Sequence, residues 1–409
     1  MAQIVANKSS RGVWAFIIVL LILFSFYPYE FTSVYFRFVP RGPGFTVIMA
    51  LFAMALYSFS GRKVNIPTGF VVVAIIQFIG LFVHSMHIGQ NIVGQFSTIF
   101  TILLPFYLLL FVEATMGLEV FYRRYNKWIL FMAILGTIAW ILVSFFGMPP
   151  FSSVISRSDE RTINNYILTF NILNEFGGDT MRYSGFFDEP GAMAYWGLFA
   201  LIINKLYIKN NKLELILAIS LLFTFSFGYY VQLFLFLLLF NLNYKNLGKS
   251  ILYIGLIVLL LFGASRTEHS SFSFIYDQTI GRVTEAFIQS QVSDNALNID
   301  SRAGLTEAGL EEFQANPILG TTKQDIRVGN NIYEPLALYG LVGAPLVLSP
   351  FLYWLFLAIK RRDKDFLKAF IVIVVGFTHR PFHVGLLYFF VVYSIIFMYL
   401  KFGVKNSKV

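Results

Sequence analysis

The sequence contains no cysteine and carries little charge. Without cysteine the chain has no disulfide, no thiolate nucleophile and no cysteine-based metal site. Only 13% of its 409 residues are charged, about half the share that is usual in soluble globular proteins, and this excludes a soluble globular enzyme. Aromatic residues make up 18% of the chain, too many for a disordered or fibrous protein. What remains is a polytopic membrane protein.

Long apolar runs are abundant. A membrane helix needs about 20 mostly apolar residues, and twelve runs come close to this length. We therefore predict an all-α polytopic membrane protein with about twelve transmembrane helices in one integral domain, residues 1–409. The predicted spans are 12–29, 44–60, 66–84, 91–113, 127–147, 190–208, 213–226, 229–243, 250–264, 331–359, 366–379 and 383–402. The seventh and eighth share one run broken at Ser226 to Gly228, and a continuous helix there would reverse every later orientation.

The basic residues orient these spans. With a cytoplasmic N-terminus, the inner loops hold most of the 31 Lys and Arg residues and few of the 22 acids, as the retention of Lys and Arg on the cytoplasmic side requires. We predict that both termini are cytoplasmic. The net charge of +9 is then a membrane signature, and no nucleic-acid partner is expected. The outer cations are almost all Arg, which suits either bidentate phosphate contacts or ion pairs with the outer acids.

Two loops are long, 148–189 and 265–330, and both are predicted on the outer face as partly helical lids. Apolar residues recur at helical spacing in the first loop: Ile163, Tyr166, Ile167, Phe170 and Leu173. In the second loop, a helix is predicted from Asp300 to Phe313, stopping at Asn316 and Pro317.

Three clusters at the outer ends of the spans carry ionisable side chains. The first runs from Arg182 through Asp188 and Glu189 to Pro190, which suits the first turn of the sixth span. One of the two carboxylates can cap that helix, and the other can accept a proton from a sugar hydroxyl.

The second cluster contains Arg302 at a helix start, then Asn330, Asn331, Tyr333 and Glu334. Glu334 lies just inside the tenth span, where an acid must face protein or water. Further along that span, Gly340 suits close helix packing.

The third cluster is the short turn with His379, Arg380 and His383. Two histidines without a third ligand do not favour a metal site, and none is predicted. His84 and His87, at another outer edge, are interpreted as interfacial.

In these motifs and in topology, the chain resembles the bacterial O-antigen and capsule polymerases of the Wzy type, which are relatives of the O-antigen ligases. The resemblance lies in the pattern Arg182, Gly185, Glu189, Pro190, and in Arg302 followed by Asn316 to Gly320 and by Asn331 and Gly340. Ligases usually carry a catalytic His just before that Asn, and here the position is Asn330.

The resemblance implies a GT-C-like, metal-independent glycosyltransferase of the bacterial inner membrane that needs no cofactor and has a periplasmic active face. Its substrates would be a growing glycan on polyprenyl pyrophosphate and a lipid-linked acceptor repeat unit, and a chain-length regulator would be a further protein partner. Arg182, Arg282 and Arg302 are candidate pyrophosphate clamps. The candidate bases are Glu189 first, then His379, His383 and Glu334. The aromatic residues that could stack on sugars are Tyr183, Phe186, Phe187, Tyr195 and Tyr333, although core packing explains most aromatic residues of this chain.

Two alternatives stay open. A ligase would move glycan onto the lipid A core. A flippase or transporter of the lipid-linked unit fits twelve spans equally well, although transporters place charges near the membrane midplane.

Overall fold

The structure, a computed structural model, describes residues 2–25, 43–155, 162–166, 169–173, 181–185, 187, 190–240, 303–323, 333–377 and 386–403. The chain folds into two compact units. Unit 1 contains the described residues within Met1–Arg124, Leu206–Ile208 and Gly304–Val409, and unit 2 those within Tyr125–Lys205 and Lys209–Ala303. The ninth predicted span, 250–264, and most of the second long loop lie outside the described residues.

The described residues form helices that lie close to the predicted spans, apart from the helix predicted in the second long loop. These are α1 (Ala2–Ser25), α2 (Pro43–Phe59), α3 (Thr68–His87), α4 (Ile92–Thr115), α5 (Leu118–Phe146), α6 (Pro190–Ile203), α7 (Asn211–Leu222), α8 (Phe227–Phe240), α9 (Ala303–Ala315), α10 (Glu334–Val347), α11 (Ser349–Lys360), α12 (Lys364–Phe377) and α13 (Leu386–Phe402). A π-helical turn, Asn204–Ile208, continues α6. Within the described residues, α3, α4, α5 and α6 with its π turn are long and apolar enough to cross a membrane.

The tenth predicted span is a bent pair of helices, α10 and α11, with a 44° bend between them. The pair packs antiparallel to α3. Contacts follow opposite orders along the two segments: His84 with Tyr339, Gly80 with Leu346, Val73 with Ser349, and Gly69 with Tyr353. Together α10 and α11 therefore match one candidate span in length and raise the number of candidate spans from four to five.

Gln77 links three helices in the middle of unit 1. Its Nε2 donates to the Val347 carbonyl at 2.9 Å, and its Oε1 accepts from the Tyr393 hydroxyl. The Val347 carbonyl is open because the Phe351 amide, which would bond to it in a continuous helix, donates to Leu348 instead. A buried amide side chain thus satisfies a carbonyl that the bend between α10 and α11 leaves open.

One face of α3 exposes an apolar stripe with the helical period. The exposed residues are Val72, Ile75, Ile79, Val83 and Met86. A stripe of this kind on a water-soluble protein would be an aggregation hazard, whereas in a bilayer it faces lipid of the same polarity. The surface of α3 therefore agrees with a membrane-embedded helix.

Basic side chains from three segments meet at one end of unit 1. Lys401 Nζ pairs with the Glu113 carboxylate, and the Arg62 guanidinium donates to the Ala114 carbonyl at 3.1 Å. The Arg361 guanidinium lies 4.9 Å from the centre of the Tyr399 ring. With the predicted spans and a cytoplasmic N-terminus, all three cations are expected on the inner side of the membrane, and the structure brings them to the same end of unit 1.

In the first long loop the described residues form an antiparallel sheet, so the helix predicted over 163–173 is wrong. The strands are β1 (Ser152–Ile155), β2 (Thr162–Tyr166), β3 (Thr169–Leu173) and β4 (Met181–Tyr183), hydrogen-bonded in chain order. The register sets Val154 opposite Ile163, Asn164 opposite Asn171, and Ile172 opposite Arg182.

The reason for this difference lies in residue type. Thr162, Ile163, Thr169 and Ile172 are β-branched, which lowers helix propensity and favours strands. Apolar residues three and four apart predict a helix only where nothing else supplies the backbone hydrogen bonds. Here each strand finds an antiparallel partner a few residues away along the chain.

The helices of unit 2 enclose an aromatic core. Trp140 of α5 packs on Phe225 at a ring-centroid distance of 5.1 Å and on Phe223 at 5.4 Å. Phe225 has a left-handed backbone (φ 50°), and this residue lies between α7 and α8. The predicted break between the seventh and eighth spans is thus confirmed, a few residues before the predicted position.

Candidate functional site

Three of the predicted site residues lie in the described part of the chain. Arg182 belongs to unit 2, and Tyr333 and Glu334 belong to unit 1. The remaining predicted site residues lie outside the described residues: Asp188, Glu189, Arg282, Arg302, Asn330, Asn331, His379, Arg380 and His383. Two places can therefore be built from their contacts, the start of α10 and strand β4.

A loop of unit 1, residues 316–323, fits into a break in α10. The break is at Gly340, whose φ of 65° and ψ of −173° are not helical. The Leu341 amide donates to the Pro317 carbonyl at 2.8 Å, and the Val342 amide donates to the Ile318 carbonyl at 3.1 Å. The Ala337 carbonyl, which Leu341 would use in a continuous helix, accepts the Thr321 amide at 2.9 Å. Loop 316–323 thus replaces hydrogen bonds that the break removes.

Two glycines make this fit possible. A Cβ on Gly320 would lie 2.2 Å from the Leu338 carbonyl oxygen, and one on Gly340 would lie 2.4 Å from the Ile318 carbonyl oxygen. Gly340 was predicted to serve close helix packing, and the structure places it at the break in α10, where it admits the loop. The loop is also tied to α3, because His87 Nε2 lies 3.1 Å from the Gly320 carbonyl oxygen.

Glu334 is the first residue of α10 and is partly buried. Its Oε2 is shielded from solvent and has no hydrogen-bond partner among the described residues. An unsatisfied buried polar group costs about 1 to 3 kcal/mol, and more when it is charged. At the end of a candidate span, such an acid faces protein or a ligand instead of lipid. A carboxylate oxygen with an open lone pair can accept the proton of a hydroxyl group.

Tyr339 of α10 contacts a histidine that sequence reasoning did not assign to the site. The His84 ring meets the Tyr339 ring edge-on at 4.6 Å, and Glu334 lies five residues before Tyr339 in the same helix. His84 Nδ1 is also buried without a hydrogen-bond partner in the described part of the chain. We call these three residues the Glu334 cluster. No local motif marks His84, because its neighbours in space come from the distant α10.

An ion pair ties α9 to loop 316–323. Glu312 is buried, and its Oε2 accepts from Lys323 Nζ at 2.6 Å while its Oε1 accepts from Asn316 Nδ2 at 3.0 Å. The hydrogen bond from Lys323 holds the pKa of the Glu312 carboxyl below its usual value, and burial opposes this shift. Glu312 thus fixes both ends of the loop that supports the Glu334 cluster.

We expect Glu312→Gln to lower the free energy of unfolding at neutral pH by about 1 kcal/mol, a modest loss because solvent screens the exposed Lys323. The depressed folded pKa stabilises the protein above the unfolded pKa of about 4.3, and this stabilisation disappears as the pH falls through the folded pKa. Thermal unfolding in detergent from neutral pH down to about pH 3 should therefore show the two proteins converging. Glu311→Gln, on an exposed neighbour, should match wild type throughout. A Glu312→Gln deficit that is constant with pH would contradict the ionic role.

In unit 2, β4 presents Arg182 and Tyr183 to opposite faces of the sheet, since side chains alternate along a strand. Tyr183 is fully buried, its ring lies against the backbone of Gly136, and its hydroxyl donates to the Ser220 carbonyl at 2.6 Å. Burial raises the pKa of Tyr183, so the hydroxyl keeps its proton and remains a donor. Arg182 is partly exposed on the other face.

The turn after β4 leads into α6. Gly185 has a φ of 60°, and a Cβ there would lie 3.1 Å from Met193 Sδ. The Phe187 amide donates to the Ser184 carbonyl at 2.9 Å. Helix α6 begins at Pro190, as predicted.

Three of the aromatic residues considered as sugar platforms belong instead to the core of unit 2. Tyr183, Phe187 and Tyr195 are all nearly inaccessible to solvent. Their burial agrees with the alternative of core packing, because a sugar platform must expose a ring face. Tyr333 of unit 1, in contrast, is only partly buried.

Among the described residues, no group of three or more His, Asp or Glu side chains could hold a metal ion. The predicted lack of a metal stays a prediction for the chain as a whole. Comparison with known proteins gives no further guide, since neither a protein-family model nor a curated protein matches this chain.

Proposed function

We propose that this protein is a glycosyltransferase that polymerises lipid-linked oligosaccharide repeat units for O-antigen or capsule. It would transfer the growing glycan from polyprenyl pyrophosphate to a lipid-linked acceptor repeat unit. The observation that carries the proposal is Glu334, a partly buried acid at the first residue of an apolar helix, whose Oε2 is shielded from solvent and has no hydrogen-bond partner among the described residues. The Arg182 to Pro190 motif and its resemblance to the Wzy-type polymerases support it.

The chemistry needs a base and an anion clamp. The acceptor hydroxyl oxygen forms a bond to the anomeric carbon of the donor glycan, and its proton passes to a carboxylate such as Glu334. The bond between the anomeric carbon and the lipid diphosphate breaks, and the diphosphate leaves with the electron pair. Arginine offers a fork of donors for this developing charge, and Arg182 is the candidate clamp in the described residues.

We further propose twelve spans, with both termini in the cytoplasm of a bacterium and the active face in the periplasm. Support comes from unit 1, where the ends of α3 differ in character. The end near Arg62 gathers the basic side chains that pair with Glu113 and Tyr399. The other end carries His84 and the Glu334 cluster. A cytoplasmic basic end would place this cluster on the outer side.

The test of this function is the surface glycan of a deletion strain complemented with variants. We expect Arg182→Ala and Arg302→Ala to insert normally but to yield glycan of a single repeat unit, since the diphosphate loses its clamp. Arg182→Lys keeps the positive charge but loses the guanidinium group that can donate two hydrogen bonds to one phosphate. This variant should give chains of intermediate length. The matched control is Arg123→Ala, which removes a mainly exposed arginine paired with Glu119 and should leave the ladder unchanged.

Other outcomes of this experiment decide against the proposal. Full-length chains from both Arg182→Ala and Arg302→Ala would remove the arginine clamp. If the deletion strain accumulates polymer on its lipid carrier and fails only to attach it, the protein is a ligase. If reconstituted protein moves lipid-linked sugar across vesicles without joining units, it is a transporter.

A further inference from the structure

A groove runs between α3 and α4 on the side where α3 exposes its apolar stripe. Its volume is about 290 Å³. Ala74 and Ile102 are buried and form its floor, whereas Ile75 at its edge is half exposed. The lining is entirely apolar and recurs at helical spacing on both helices: Val71, Ala74 and Phe78 on α3, and Ile99, Ile102 and Phe106 on α4. Such a groove suits a hydrocarbon chain, because water needs polar partners that this lining lacks.

The groove begins near the basic end of unit 1, the end where Arg62, Arg361 and Lys401 meet. From Phe106 of the groove, α4 continues to Ala114, about 12 Å farther along the helix axis. Ile99, at the other end of the groove, lies about 22 Å from Ala114 along the same axis. Half of a bilayer, with its headgroups, is about 20 Å thick. The groove therefore covers the depths that a phospholipid tail reaches when its phosphate lies near Ala114.

Arg62 is fixed at the point to which the groove leads. Its Nη1 donates to the Ala114 carbonyl at 3.1 Å, and Ala114 lies three turns after Leu103 of the groove, on the same face of α4. A guanidinium has five N–H donors, so this contact leaves most of them open. The next residue, Lys63, is exposed. Two positive charges thus lie where the phosphate of a lipid in the groove would be.

The acid closest to Arg62 along α4 does not cancel this charge. Glu113 directly precedes Ala114, but its carboxylate pairs with Lys401 and accepts the Leu118 amide at 2.9 Å. Within the part of the chain that the structure describes, neither Arg62 nor Lys63 forms an ion pair. Basic sites beside membrane helices at the cytoplasmic surface favour anionic lipid headgroups, and an arginine can donate two hydrogen bonds to one phosphate.

We propose that Arg62, Lys63 and the groove between α3 and α4 bind one anionic phospholipid of the leaflet at the basic end of unit 1. The two cations hold its phosphate, and one of its acyl chains lies in the groove. This site is separate from the proposed transfer reaction, whose diphosphate is expected at the opposite end of α3, beside the Glu334 cluster. It therefore stands independently of the proposed function.

The experiment measures lipid binding to the purified full-length protein by native mass spectrometry. The probes are dioleoyl phosphatidylglycerol, which is anionic, and dioleoyl phosphatidylcholine, which has the same chains and no net charge. We expect the wild-type protein to bind phosphatidylglycerol about tenfold more tightly, the effect of one hydrogen bond to a charged group. Arg62→Ala and Lys63→Ala should each remove most of this preference and leave the affinity for phosphatidylcholine almost unchanged. Lys63→Ala changes an exposed side chain, so it keeps the test available should Arg62→Ala be unstable.

A second variant tests the acyl chain. Ala74→Phe places a ring on the floor of the groove, so the affinity for both lipids should fall about tenfold. Val72→Phe is the matched control, because Val72 is an exposed residue of the same helix outside the groove. It should bind both lipids as the wild-type protein does. Unchanged lipid binding in Ala74→Phe would overturn the site.

Lys360→Ala is the control for charge. Lys360 is an exposed cation at the end of α11, and Tyr353 of α11 lies against Gly69, on the face of α3 opposite the groove. Equal losses in Lys63→Ala and Lys360→Ala would show diffuse attraction and overturn the site. Polyprenyl phosphate that displaces phosphatidylglycerol at a much lower concentration would assign the groove to the glycan carrier and also overturn it. Wild-type protein that binds phosphatidylglycerol as expected but joins no glycan units would overturn the proposed function alone.

Discussion

Replacing Glu334 by glutamine is expected to lower the rate of glycan transfer by about a hundredfold or more. A general base in the transition state typically contributes a factor of that size, and glutamine has the shape of glutamate but cannot take up the proton. The measurement is kcat for transfer by purified protein with saturating donor and acceptor. Glu334→Asp keeps a carboxylate but shortens the side chain by one methylene group, which moves the base away from its position. An intermediate rate is therefore expected.

The same substitution should not harm the fold. Glu334 Oε2 has no hydrogen-bond partner to lose among the described residues, and a neutral amide costs less to bury than a carboxylate. We therefore expect an unfolding temperature equal to that of wild type or slightly higher. Glu311→Gln makes the same change on an exposed residue of α9 and should leave both rate and stability unaltered. Wild-type turnover by Glu334→Gln would remove Glu334 as the base and leave Glu189 as the leading carboxylate.

Local signals in the sequence predicted the start of α6 and the end of α9 correctly. Pro190 begins α6 because proline lacks the amide hydrogen that a first-turn residue does not need. Helix α9 stops at Ala315, before the Asn316 and Pro317 pair, since a residue before proline avoids the helical conformation. Such signals act within one or two residues, so they predict a helix end even when the tertiary contacts are unknown.

The sheet over residues 152–183 shows where periodicity misleads. Its apolar residues satisfy the spacing of a helix, while its β-branched residues favour strands. Which tendency prevails depends on hydrogen bonds between strands. Asn164, for example, lies opposite Asn171 of the next strand, and the spacing of apolar residues within one segment does not reveal such a partner.

The Glu334 cluster is predictable only in part, for a related reason. Glu334 stands out in the sequence, because an acid at the start of an apolar run is unusual. His84 does not, because what gives it a place is contact with Tyr339 across two helices. Gly340 was visible as a small residue, but its left-handed backbone and its contact with Gly320 arise only when the loop meets the helix.

Gly340→Ala should be among the most destabilising single substitutions in unit 1, costing roughly 3 kcal/mol or more of unfolding free energy. Two effects add. A φ of 65° with a ψ of −173° lies in a region that only glycine adopts without strain. The new Cβ would also approach the Ile318 carbonyl oxygen to 2.4 Å and the Gly320 amide nitrogen to 2.5 Å, and these backbone atoms cannot rotate away as a side chain could.

Gly89→Ala separates the two effects. Gly89 has nearly the same φ, 66°, but a Cβ there would meet nothing within 4 Å, so only backbone strain of about 1 kcal/mol is expected. Thermal unfolding in detergent should rank wild type above Gly89→Ala and Gly89→Ala well above Gly340→Ala. Because displacement of loop 316–323 would move Tyr339 and its neighbours, Gly340→Ala should also lose transfer activity at temperatures where it remains folded. Equal stability losses in the two variants would mean that the fit of loop 316–323 into α10 contributes little, and that the Glu334 cluster is held by other contacts.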